Sequence, residues 1–276
     1  MSLLKHRADG RSLAFVAVAL LLLGLPHGWS PMPGLVVPWI ACASLVCFIA
    51  SIINHNHMHQ PVFTDRRWNI CLNLALSLAR GHSASGVVVP HNLNHHVLAG
   101  GAGDWISPQL AGHGLGWWRL LRYVVVASGN MMIQRQRADA PRLPNSMRAS
   151  LILEKLVLAI VVVLACLHDW QIFLAYNVVP WLLGLALLVG VNLLQHDGCD
   201  PGSMLGESRN FTGKWGNWMF FNNGFHSAHH DKPALHWSQL QALHATLAQR
   251  LPGNDLAHAS IVVYLWHFGW SRAGVR

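Results

Sequence analysis

Four apolar stretches limit what this chain can fold into. Residues 12–29, 35–53, 150–168 and 172–194 run for about 18–23 residues each with almost no charge, and a helix needs roughly 20 to cross a bilayer core. Composition agrees: 11% of the residues are charged, 53% are apolar, and mean hydropathy is +0.33. Those values lie outside the range of soluble globular domains. Lys5, Arg7 and Arg11 precede the first stretch in the manner of a signal peptide. No small-x-small cleavage site leads from it into a polar region, however, so a retained helix is expected. Within the third stretch, Glu154 and Lys155 are expected to snorkel to the interface. Pro180 is expected to kink the fourth.

Charge sets the expected topology. Lys and Arg number three before the first stretch, nine in residues 60–149 and six in 197–276, while the two short connections around Pro31 and Asp169 have none. Basic residues stay on the cytoplasmic side, so both termini and the long middle segment are expected there. A bacterial inner membrane is the expected location. The net charge of +8 then reports orientation and attraction to anionic lipid, not nucleic acid. Residues 115–132 and 238–251 read as amphipathic helices, the first at the interface. Five cysteines form no C-x-x-C pair. Cys42, Cys47 and Cys166 fall within the apolar stretches and read as packing residues. No second domain is evident, and one domain over 1–276 is expected.

Histidine is the chemical anomaly. The chain holds 19 His against 3 Tyr, and nine of them fall into four clusters: His55 and His59; His91, His95 and His96; His196; and His226, His229 and His230. Residues four apart on a helix differ by about 40° and share a face, which pairs His55 with His59, His91 with His95, His226 with His230 and Asn192 with His196. His57 points about 200° from His55 and is set aside as a ligand. One ion takes four to six ligands, so nine imidazoles suit two. The remaining histidines stand alone and read as packing or interfacial residues.

The donor set narrows the metal. Magnesium and calcium demand oxygen. Structural zinc usually brings cysteine, and the Glu and Glu-x-x-His ligands of soluble di-iron bundles are missing. Two irons held by histidine and activating O₂ beside the bilayer fit best. Few acids are present, yet Asp104, Asp197, Asp200, Glu207 and Asp231 lie near the clusters. Metal-bound imidazole usually donates its other N–H to a carboxylate or carbonyl. Asn192, Asp104, Asp197 and Asp231 are therefore candidates to support the ligands from behind.

His55-x-x-x-His59, His91-x-x-x-His95-His96 and His226-x-x-His229-His230 resemble the three histidine boxes of the membrane fatty acid desaturase–hydroxylase superfamily. Asn192-x-x-x-His196 resembles the additional ligand element before the third box in stearoyl-type desaturases and alkane monooxygenases. The similarity runs from about residue 53 to 237 and includes SRNFTGKWGNWMFFNNGFHSAHH. The tract HHVLAGGAGDWISP is also similar to carotenoid ketolases.

The resemblance implies an all-α integral membrane fold of four transmembrane helices with a cytosolic helical cap holding a dimetal site. It implies metal ligation by the nine histidines, with Asn192 a weaker candidate. It also implies a reaction that consumes O₂ and two electrons from a separate donor protein of ferredoxin, rubredoxin or cytochrome type. Desaturation of a fatty-acyl or related lipid chain is the expected activity. Lipid or alkyl hydroxylation, or carotenoid ketolation or hydroxylation, is the alternative. A membrane metal transporter or sensor is disfavoured, because it would place its ligands near mid-bilayer.

Overall fold

In the computed structural model, residues 2–29, 31–203, 205–251 and 256–273 are described. The first helices, in chain order, are α1 (Asp9–Gly24), α2 (Val36–His59), α3 (Arg66–Arg80), the single turn α4 (His96–Leu98), α5 (Gly116–Gln134), α6 (Asn145–Phe173) and α7 (Val179–His196). Four more follow: α8 (Lys214–Met219), α9 (His226–Asp231), α10 (Leu240–Leu247) and α11 (Ile261–Trp270). Strands are two residues long. Gly114–Leu115 pairs antiparallel with Arg272–Ala273, and Asn210–Phe211 pairs parallel with Ala257–His258. The chain divides into two compact units, residues 1–87 with 143–188 and residues 88–142 with 189–276.

The first unit has an apolar surface and buries several polar side chains within its apolar core. Among the described residues, three helical stretches are long and apolar enough to cross a membrane: Asp9–His27, Pro33–His59 and Asn145–His196. The last contains both of the later expected spans. At 52 residues and 1.5 Å per residue it would extend about 78 Å, well over twice a hydrocarbon core. It does not run straight. The backbone leaves helical geometry at Asp169 (φ −161°, ψ 101°), where the carboxylate accepts from the amides of Gln171 and Ile172 and caps the helix that follows. Before Pro180 the chain widens into a π-helix at Leu174–Val178. Proline brings no N–H and crowds the carbonyl four residues back, and a wider turn relieves both.

Ile152, Leu156, Ile160, Val163, Leu164 and Leu167 of α6 are all exposed. Water would not tolerate that surface, whereas lipid would. Inside the same unit Asn54, Ser77, Arg80, Ser85 and Glu154 are buried. Here one expectation is corrected. Lys155 is exposed as a snorkelling residue should be, but Glu154 is 1% exposed and its carboxylate is fully engaged by serine donors. It points inward. Gly81 (φ +71°) ends α3 in a left-handed turn, and any Cβ there would collide with the Trp181 ring. Cys47 is buried as expected, while Cys42 and Cys166 lie exposed on the apolar surface.

The second unit is built round histidines. In α5 the buried residues are Gly116, Arg119, Tyr123 and Ala127, one stripe at helical spacing. The exposed residues include Trp118, Leu121, Val125, Met132 and Ile133. This helix is amphipathic, as its sequence suggested, but its Arg119 faces the interior. The expected helix at 238–251 is α10 flanked by two 3₁₀ turns, Trp237–Gln239 and Ala248–Arg250.

Candidate metal centre

Two adjacent histidine pairs are divided between two groups, and the local helix type decides how. On α9, His226 and His230 lie four apart and join one group, while His229 turns to the other. Box two is different. Val88–His95 is a π-helix, whose i→i+5 bonding sets His91 against His96, with their Nε2 atoms 3.0 Å apart. The expected partnership of His91 with His95 is therefore corrected: His95 belongs with His196, His226 and His230. An α-helical reading paired His91 with His95, whereas the π-helix groups His91 with His96.

The four-histidine group is closed and well oriented. His95, His196 and His226 are 0%, 1% and 3% exposed. One ring nitrogen from each of the four lies within 4.8 Å of the others, and His196 Nε2 is 3.0 Å from His226 Nε2. Three of the rings are held from behind. His95 Nδ1 donates to Asp104 Oδ2 (2.7 Å) and His196 Nδ1 to the backbone carbonyl of Glu207 (2.8 Å), while His230 Nδ1 lies 3.0 Å from Glu207 Oε1 in an ion-pair contact. The Asp104 carboxylate and the Glu207 carbonyl only accept, so Nδ1 of His95 and of His196 carries the proton and their Nε2 atoms present lone pairs. His95 Nε2 is buried and has no hydrogen-bond partner. A buried acceptor aimed at three other imidazoles fits a metal ion, and the N–H···O backing is the arrangement that metal-bound histidines usually have.

Asp104 is itself immobilised. Its Oδ2 also accepts from the Gly100 amide (2.8 Å) and its Oδ1 from the Ile106 amide (2.9 Å). Burial opposes its charge. The hydrogen bond and charge of His95, with the two amides, prevail and hold it below the usual carboxylate range. Burial instead pushes Glu207 up to about 7, against an opposing pull from His95.

In the same unit His91, His96 and His229 form a second convergence. His96 Nε2 is 3.0 Å from both His91 Nε2 and His229 Nε2. One nitrogen carries either a proton or a lone pair. Two such contacts are met poorly by hydrogen bonds among the rings and well by a cation facing all three. In the first unit, His55 and His59 share a face of α2 with ring centroids 5.0 Å apart. His57 faces elsewhere: its Nδ1 accepts from the Val62 amide (3.2 Å), and its Nε2 donates to Asn73 Oδ1 (3.0 Å).

The remaining candidates lie as follows. Asn192 donates to Tyr123 Oη (2.7 Å) and the Ile106 carbonyl (3.3 Å). Asp197 accepts both guanidinium nitrogens of Arg119 (2.5 and 3.0 Å). Asp231 makes no side-chain hydrogen bond or ion pair among the described residues. Glu207 is the residue sequence reasoning left unassigned. It stands 11 residues beyond His196 in a loop, where no helical periodicity marks it. Its one signal was scarcity, being among 11 acids in the chain.

Residues 29–262 match the family model described as Fatty acid desaturase. No curated protein matches the chain.

Proposed function

The chain belongs to the fatty acid desaturase family, and we propose that it is an O₂-dependent di-iron membrane desaturase acting on a fatty-acyl or related lipid chain. The observation that carries this reading is the division of His95 from His96 and of His229 from His230 between two imidazole groups. In this reading one iron is held by His95, His196, His226 and His230, and the ligand candidates for the other are His91, His96 and His229 of the second unit and, separately, His55 and His59 of the first. Iron bound there supplies the oxidising chemistry when O₂ and two electrons from a separate carrier protein are delivered. The protein's own residues orient the ligands. Asp104 and Glu207 keep the protons on Nδ1, leave Nε2 to the metal, and make the imidazoles better donors. The closed histidine core keeps bulk water from the reacting carbon.

The proposed topology has four passes. The break at Asp169 turns the 52-residue stretch, and both termini and the histidines lie on the cytoplasmic side. Reporter fusions after Arg11, within residues 66–148 and at the C-terminus should read cytoplasmic, while fusions near Gly34 or Asp169 should read the opposite side. An external C-terminus would separate box three from box one and exclude the shared site.

The decisive test is chemical. Lipids from a host making the protein should gain a double bond that is missing from a His95→Ala control. The purified, active protein should bind about two irons per chain. A new hydroxyl or keto group would reassign the reaction within the family. Full activity with one iron per chain would exclude the two-metal site.

A further inference from the structure

Glu154 is a charged residue in a helix otherwise made for lipid. Ile152, Leu153 and Leu156 beside it are exposed, yet Glu154 is 1% exposed. Its Oε1 accepts from Ser85 Oγ (2.5 Å) and Ser150 Oγ (2.8 Å), and its Oε2 accepts from the Ser85 amide (2.8 Å). Buried charge beside a bilayer is costly and marks function more often than stability. Arg80, also buried, supplies the opposing charge and donates through Nε to Ser51 Oγ of α2 (3.1 Å).

The bonds leading away from Glu154 form a circuit. On one side Asn73 Nδ2 donates to Ser150 Oγ (3.2 Å), and Asn73 Oδ1 accepts from His57 Nε2 (3.0 Å). On the other, Ser85 adjoins Ala84, whose carbonyl accepts from Asn54 Nδ2 (3.2 Å). The Ala84 amide donates to Ser77 Oγ (2.9 Å), which donates on to the Asn73 carbonyl (2.7 Å) and ties the two sides together. The circuit leaves α2 at His57 and returns to it at Asn54. His55 stands between them in sequence. At about 100° per residue, Asn54 and His57 occupy the side of α2 opposite His55 and His59.

We infer that Glu154 is a positioning residue for the first histidine box, holding the far side of this helical turn so that His55 and His59 are aimed. The inference rests on the reading of those two histidines as metal ligands. A carboxylate suits the role because it meets two hydroxyls and an amide with two oxygens. A glutamine would turn its own NH₂ toward a donor, and a leucine would leave three buried donors unmet.

The test uses the full-length chain in lipid nanodiscs, titrated with Co²⁺ and followed by visible absorption, with helix content and Tm as controls. Wild type should take up two ions, and His55→Ala should weaken one of them. Ser150→Ala and Glu154→Gln should weaken that same ion by about tenfold and shift its absorption, leaving the other ion unchanged. Glu154→Leu should do so more severely. Folded Ser150→Ala and Glu154→Gln proteins with both affinities and both spectra at wild-type values would overturn the inference. Equal weakening of the two ions would overturn it too, by showing a general structural role. If His55→Ala changed neither ion, the ligand assignment itself would fall and take the inference with it. That outcome is separable, because it appears without any change at Glu154.

Discussion

Asp104 and Glu154 are both buried carboxylates, each satisfied by three donors, and they differ in what those donors are. Asp104 takes an imidazole N–H and two loop amides. Glu154 takes two hydroxyls and one amide. One hydrogen bond separates Asp104 from the ring of His95, so under the proposed assignment its charge reaches that ligand's basicity directly. Glu154 reaches His57 only through Ser150 and Asn73. Over that distance geometry is transmitted and charge is not. On the proposed reading, the same chemical group tunes a ligand in the second unit and fixes a helical turn in the first.

Removing a ligand outright sets the upper end of the scale. His95→Ala or His196→Ala should bring turnover below detection and metal content down to about one ion per chain, measured on purified protein with intact helix content. Retention of two ions would break the four-histidine assignment. Asp104→Asn comes next, since the amide oxygen still accepts from His95 but brings no charge. Metal affinity should drop about 10- to 100-fold, with Glu207→Gln close behind, because the carbonyl holding His196 survives that change. A drop no larger than that of Ser150→Ala would erase the distinction between the two carboxylates.

The metal-free protein offers a second view of Asp104. Its pKa is depressed in the folded state, so the stability it contributes is present in full above its ordinary range. That stability is lost as pH falls through the depressed value. The Tm gap between wild type and Asp104→Asn should thus be widest above about pH 5 and close toward acid. A gap that grew on acidification would reverse the sign and refute the His95–Asp104 account.

The two boxes of the second unit show where sequence spacing suffices. His226 and His230 behave as a rule of four residues on one face predicts, because α9 is an α-helix. His91 and His95 do not, because a π-helix carries them, and nothing in VVPHNLNH announces a change of helical period. The apolar stretches were legible because a bilayer imposes a length. Glu154 was legible only as a charge near a helix end, where snorkelling and burial give the same pattern. Whether it turned inward depended chiefly on Ser85, whose hydroxyl and amide both donate to it and which is remote in sequence. Glu207 was legible only as one of five acids near the clusters: it sits in a loop, and loops carry no period that would say which ring it backs.

Asp197 gives the finest discrimination, because it follows His196 in the chain, yet among the described residues its carboxylate is bonded to Arg119 and to none of the nine clustered histidines. Both its oxygens are taken by Arg119, whose guanidinium also donates to the Gly112 carbonyl. Asp197→Asn keeps one acceptor and removes the charge facing a largely buried arginine. Stability should fall by about 1–2 kcal/mol, read as a lower Tm, while Co²⁺ affinity and visible absorption stay as in wild type. The two carboxylates next to box residues would then separate cleanly: Asp104 moves the metal and Asp197 moves only the fold. A change in the Co²⁺ spectrum at Asp197→Asn as large as that at Asp104→Asn would show instead that closeness to a ligand in sequence is enough, and that a direct Nδ1–H···O contact is not what sets a supporting carboxylate apart.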